Sequence, residues 1–491
     1  MCVQQKETGI LLAVSSLPSP YGIGDLGPAA RAWLELLGQN GVTLWQILPL
    51  NPTGYGNSPY QPYSSCAGDE MYLSLEELAA QGLLPNLPEG FPLPVNHVDY
   101  EAVRRYKEPL LRAAWQAFVP DEDYRAFAAR DWVRDYAVFR AFKKENDNRC
   151  WLEWPEWQRT WPENRAGDLT PYREEMEYQT FLQYQFARQW QAVRAAAAAK
   201  GIRIMGDVPF YVGVDSVDVW AGKENFLLDA DGRPAWVAGV PPDYFSATGQ
   251  RWGNPIYDWD HLQQTGFDFW VRRIGYNKQL FDVIRIDHFR AFDTYWKIPA
   301  SCPTAMEGDW IEAPGYAVLD TLYRELPGLE LVAEDLGDLR PEVLALRDHY
   351  RLKGMKVLEF TLDTTGKQAR DIGSQSENLI CYTGTHDNAT LLEWYNSLTV
   401  AARRKLRRWM RRQGFGTGTV VQRLVRCALA SPARWTILPV QDILELDASA
   451  RMNTPGTVGS PNWEWRLPDL DRAAAALHAY RPLILQRRNM V

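Results

Sequence analysis

At 491 residues the chain could hold three average domains or one large α/β barrel with insertions. It is 46% hydrophobic and 23% charged, so a sizeable core can form, and 53 Lys and Arg against 61 Asp and Glu leave a net charge of −8. On this reading no segment stands out as a basic stripe, so neither nucleic acid nor an acidic membrane is an expected partner. The cysteines (Cys2, Cys66, Cys150, Cys302, Cys381, Cys427) are scattered, with neither a disulfide framework nor a zinc spacing. That suits a reducing, cytoplasmic setting. The early apolar run GILLAV is too short for a signal core, has no basic region before it, and no run approaches transmembrane length.

In chain order, eight short apolar runs end in Gly, Pro or a polar residue. They are GILLAVSSL (9–17), TLWQILPL (43–50), GIRIMGDVPF (201–210) and FDVIRIDHF (281–289). LELVAEDLG (329–337), GMKVLEF (354–360), NLICYTGTHDN (378–388) and RWTILPVQDI (434–443) follow. Helical stretches such as QWQAVRAAAAAKG separate most of them, with Ala favouring the helix and Gly stopping it. Strand and helix alternating eight times predicts an α/β fold, a (β/α)₈ TIM barrel, in one catalytic domain over 1–491. An open doubly wound sheet is the alternative.

Two gaps are too long for one helix. Residues 60–200, between strands 2 and 3, are read as an inserted, mainly helical subdomain region containing CWLEWPEWQRTW (150–161). That block is either a packing cluster or a sugar-stacking surface. Residues 213–275, between strands 3 and 4, are read as an inserted loop or lid region. Its aromatic stretch VAGVPPDYFSATGQRWGNPIYDW (237–259) has the Gly and Pro of a loop.

Four runs finish with a carboxylate, at Asp207, Asp287, Glu334 and Asp387. Barrel enzymes place catalytic groups at these strand ends, whereas each acid alone could equally be a helix cap. Asp335 and Asp338 are read as that structural kind. Acids converging on one mouth cannot all ionise freely, so at least one is pushed up. An ionised acid beside a protonated one is what glycosidic bond cleavage requires. Arg285 and Asp287 lie two apart on a strand and share a face, so Arg285 is expected to hold Asp287 ionised. Glu334 follows Val332 and Ala333, has no basic neighbour in sequence, and suits the protonated role. His288 and His386 adjoin acids, but no HxH or HExxH spacing supports a metal site.

The motifs GYGNSPYQPYSS (54–65), GDVPFYV (206–212), RIDHFRAF (285–292), AEDLG (333–337), THDN (385–388) and RMNTPGT (451–457) occur in order. Together they resemble glycoside hydrolase family 77, the 4-α-glucanotransferases or amylomaltases of the α-amylase clan, from about Gly9 to Arg466. The resemblance implies a barrel with inserted subdomains, no C-terminal β domain, and no metal or organic cofactor. It makes Asp287 the nucleophile, Glu334 the general acid/base and Asp387 the third carboxylate. Asp207, Arg285 and His386 would bind the glucose beside the scissile bond, with Tyr60 stacked beneath and Ser58 nearby. Tyr244, Phe245 and Trp252 would line the acceptor side, and His288 and Asn453 would also touch substrate. Ala291 departs from the Gly common in the family. The implied reaction moves α-1,4-glucan segments from a maltodextrin or amylose to the 4-hydroxyl of a glucan or glucose, in a monomer or weak homo-oligomer. An α-amylase-type hydrolase and an inactive glucan-binding protein are the other readings.

Overall fold

The computed structural model describes residues 5–87, 89–91, 96–242, 246–362 and 377–489. Its centre is eight parallel strands. They are β1 (Glu7–Leu11), β2 (Leu44–Gln46), β3 (Arg203–Val208), β4 (Val283–Ile286), β5 (Leu331–Ala333), β6 (Gly354–Val357), β7 (Leu379–Tyr382) and β8 (Trp435–Pro439). They pair in the order β6-β7-β8-β1-β2-β3-β4-β5. A bridge between Val332 and Lys353 then joins β5 to β6, so the sheet closes into a (β/α)₈ barrel and the open sheet is ruled out. Each strand overlaps one of the eight apolar runs. The runs lack alternation because both faces are covered: every residue of β4, β7 and β8 is buried.

Between β2 and β3 the chain passes through helices that include Tyr100–Ala117, Asp131–Glu145 and Arg173–Ala199. The last of these carries two buried glutamines whose amides replace missing backbone partners. Gln183 accepts from the Gly68 N–H at 2.8 Å and donates to its carbonyl at 2.9 Å. Gln189 does the same for Ser74, at 2.8 and 3.2 Å. These pairs tie down the segment that follows Tyr60. Gly68 is required there, since a Cβ would overlap the Phe186 ring. The 150–161 block is a packing cluster: Trp151, Trp154 and Trp161 are buried, and Trp161 stacks on Trp220 at 5.9 Å. Of its four tryptophans only Trp157 is exposed, at 38%.

The stretch 237–259 departs from its reading as a loop. Trp236–Val240 and Gln250–Pro255 are antiparallel strands, joined by Thr294–Pro299 and Asp309–Glu312 in a second, four-stranded sheet. Aromatic residues favour such half-covered strands, and at Gly239 a Cβ would run into the Gln250 carbonyl, so its glycine marks strand contact. Composition also misled at helix Val400–Arg412, VAARRKLRRWMRR, which carries seven cations and no acid. A basic stripe does exist. The whole-chain charge hid it because acids elsewhere outweigh it.

After β8 the described residues form only helices and loops, ending in helix Asp471–Arg488. Arg487, 1% exposed, clamps this helix to the barrel by donating to the Leu429 and Ser431 carbonyls at 2.8 and 2.7 Å and to that of Ala433. Among the described residues no helix is long and apolar enough to cross a membrane.

Candidate active site

Asp287 and Glu334 each stand one residue beyond a strand, and the ladder continues through them. The Asp287 N–H donates to the Val208 carbonyl at 3.0 Å, and the Glu334 N–H to the Ile286 carbonyl at 3.1 Å. Ile286 and Ala333 are register partners, so the two acids leave adjacent strand ends at one level. His288, next in the chain, has a left-handed φ of 52°. That conformation costs a non-glycine residue about 1–3 kcal/mol. It turns the His288 N–H onto Glu334 Oε2 at 2.9 Å, while Oε1 accepts from the Leu336 N–H at 3.0 Å. The strained turn thus orients the acid beside it.

Arg285 Nη1 lies 2.7 and 2.6 Å from the two oxygens of Asp207 and 3.1 Å from Asp287 Oδ1. Tyr60 adds its hydroxyl to Asp207 Oδ2 at 2.8 Å. Asp207 is fully buried, and its oxygens hold Arg285 and Tyr60 in place. Arg285 acts on Asp287 in the expected direction, against burial. Burial pushes Asp287 up to about 6, with Arg285 opposing and the charges of Asp207 and Asp387 adding. The guanidinium is shared with Asp207, so it does not outweigh burial. Burial likewise raises Glu334 to about 7, with Arg285 opposing and the Asp287 charge adding.

The THDN turn after β7 is tied by Asn388, whose Oδ1 accepts from the Thr385 N–H and hydroxyl at 3.0 and 2.8 Å. It presents Asp387, 43% exposed, with Asn453 donating to Oδ1 at 2.6 Å and His386 Nε2 3.4 Å from Oδ2. Burial alone would raise Asp387, but these two neighbours hold it down at about 2. Tyr60 stacks on His386 at 5.0 Å, and Ser58 Oγ accepts the Tyr60 N–H at 3.2 Å, fixing the turn beneath that ring. His288 meets Trp252 edge-on at 4.8 Å, and burial, with Arg290 adding, pushes its imidazole down to about 4, so it is neutral. Tyr244 and Phe245 lie outside the described residues.

Three neighbours escaped the sequence reading. Trp463 tilts against Tyr60 at 5.6 Å and His386 at 5.9 Å. Arg451 donates to the Asp387 and Asn453 carbonyls at 3.0 and 2.9 Å, joining the last motif to the third acid. Glu359, on the turn after β6, accepts from the Asn388 amide. Arg451 stands in a quoted motif, but nothing local marked its partners.

Asp335, beside Glu334, points away from this group. Its side chain is 1% exposed and accepts from Arg347 at 2.5 Å and from the Met355 N–H at 2.6 Å. The acid doublet therefore divides its work between two sides of the barrel wall. Asp335→Ala should cost about 3 kcal/mol, as expected when one partner of a buried ion pair is removed. Chemical denaturation should show that loss with the turnover of folded enzyme unchanged. Lost turnover at unchanged stability would place Asp335 in the chemistry instead.

A parallel barrel with two carboxyl groups at neighbouring strand ends, one favoured to keep its proton, defines the class: a glycoside-bond-processing enzyme. The family described as 4-alpha-glucanotransferase, glycoside hydrolase family 77, matches residues 12–471. The 4-alpha-glucanotransferase of Thermus thermophilus is 44% identical over 474 residues, covering 94% of each chain. That of Synechocystis is 42% identical over 481 residues, covering 94% of this chain and 93% of the other. The solved amylomaltase from Streptococcus agalactiae in complex with acarbose has 35% identity and a TM-score of 0.92, covering 98% of this chain and 99% of that one. The chain belongs to the 4-α-glucanotransferase family.

Proposed function

We propose that the protein is a 4-α-glucanotransferase that transfers α-1,4-glucan segments between maltodextrins, with a glucan or glucose as acceptor, by retaining double displacement. The observation that carries this is the side-by-side placement of Asp287 and Glu334 on register-matched strand ends. Glu334 gives its proton to the glycosidic oxygen as Asp287 attacks the anomeric carbon, and the reducing-end fragment leaves. The glycosyl ester formed on Asp287 is then attacked by the acceptor 4-hydroxyl, whose proton returns to Glu334. Asp387, ionised at all working pH, accepts hydrogen bonds from hydroxyls of the distorted sugar. Arg285 and His386 help bind that sugar above the Tyr60 ring. His288 orients Glu334 through its backbone, and Trp252 borders the acceptor side. The scattered cysteines support a cytoplasmic setting.

The pH dependence follows from the two acids. Asp287 must be ionised, which is gained as pH rises through about 6, and Glu334 must be protonated, which is lost as pH rises through about 7. A bell-shaped kcat/KM on maltotriose is expected, centred between those values. In Glu334→Gln acting on a glycosyl fluoride, formation of the glycosyl-enzyme should keep the acid limb and lose the alkaline one. An alkaline limb that persists in that variant would assign the proton donor elsewhere.

A further inference from the structure

We infer that the basic helix Val400–Arg412 is an anchoring surface for phosphate monoesters carried by the polymeric α-glucan, an inference that rests on the glucan reading above. Of its seven cations six are arginine, whose planar fork grips phosphate in two-point fashion. Arg404, Arg408 and Arg412 recur every fourth residue, about 6 Å apart along the axis, and form one exposed row. Among the described residues these three have no hydrogen-bond or ion-pair partner, so the row is not spent on holding the fold. Trp409, partly buried against the core, is at helical spacing from Arg412 and Lys405, so the uncovered part of a flat ring adjoins the cations.

The position of the helix supports the same partner. It lies in the excursion between β7 and β8 and is docked by Arg407, which donates to the Tyr395 hydroxyl at 2.5 Å. Tyr395 belongs to helix Leu391–Ser397, whose Glu393 lies 3.4 Å from Arg451, the residue bonded to the Asp387 backbone. The helix that bears the row is thus linked through Tyr395, Glu393 and Arg451 to the third acid.

Other polyanions fit less well. Ala402, Leu406 and Met410 are buried against the protein, which leaves the helix no apolar face to insert into a membrane. Removing the seven cations from the net −8 leaves −15 on the rest of the chain, which repels a nucleic acid running beyond the helix. A glucan with sparse phosphate groups is neutral elsewhere and meets no such repulsion.

The test uses one α-glucan phosphorylated at glucose 6-positions, and the same polymer after phosphatase treatment, in affinity electrophoresis with the full-length enzyme. Wild type should bind the phosphorylated polymer about tenfold more tightly at low ionic strength, the margin shrinking with added salt. The exposed triple variant Arg404→Glu, Arg408→Glu, Arg412→Glu should bind both polymers alike, while turning over maltotriose at the wild-type rate. Equal binding by wild type, or a preference that survives in the triple variant, overturns the inference. Binding of single-stranded DNA as tight as that of the phosphorylated glucan overturns the glucan assignment in favour of nucleic acid. A phosphate preference in an enzyme inert on maltotriose would defeat the transferase reading alone and leave the anchor standing.

Discussion

Asp287→Asn is expected to be the most damaging single change, lowering kcat on maltotriose on the order of 10⁵-fold, as for loss of a catalytic nucleophile. The amide cannot form the glycosyl ester, so no alternative group shares the load. Arg285 keeps its two bonds to Asp207, and the Asp287 N–H keeps its place on the strand ladder, so folding should survive. Circular dichroism should match wild type, and a mechanism-based fluorosugar should label no residue in the variant. Labelling at another carboxylate would show that the nucleophile had been misassigned.

Glu334→Gln should lose about 10³-fold on maltotriose, within the range of a lost general acid, and should lose it conditionally. A glycosyl fluoride needs no proton to depart, so the variant should still form the glycosyl-enzyme from that donor. The second half-reaction lacks its base, so the intermediate should accumulate and be released by azide, which needs no deprotonation. Intact-mass measurement reads both steps. If Glu334→Gln cannot be loaded from the fluoride while Asp287→Asn can, the two roles are exchanged.

Reading the sequence recovered the barrel because its strands are buried on both faces and so stand out as unbroken apolar runs; all eight coincide with a strand. The acids of the site were equally visible, since the ladder carries Asp287 and Glu334 one step past such runs. Less visible was anything decided by contact between distant segments. Asp207 reads as one more strand-end acid, and only the fold reveals its burial against Arg285 and Tyr60. The second sheet pairs strands on either side of the Asp287 turn, and no local periodicity announces that pairing. Helix Val400–Arg412 was missed for a different reason: a whole-chain charge averages away a stripe that ten residues carry.

Transfer and hydrolysis share their first step and differ in what attacks the glycosyl-enzyme. Water is far more concentrated than any sugar, so transfer requires an acceptor site that positions a 4-hydroxyl and keeps water out. Positioning alone can contribute on the order of 7–11 kcal/mol. Each α-1,4 bond broken in transfer is replaced by another, so the number of reducing ends is conserved. The decisive measurement follows maltotriose by a reducing-sugar assay and chromatography of the same samples. The proposal requires glucose plus a ladder of longer maltodextrins, with almost no gain in reducing power. Reducing ends that rise in step with maltotriose loss, with no product longer than the starting sugar, would make the protein a hydrolase and contradict the proposal.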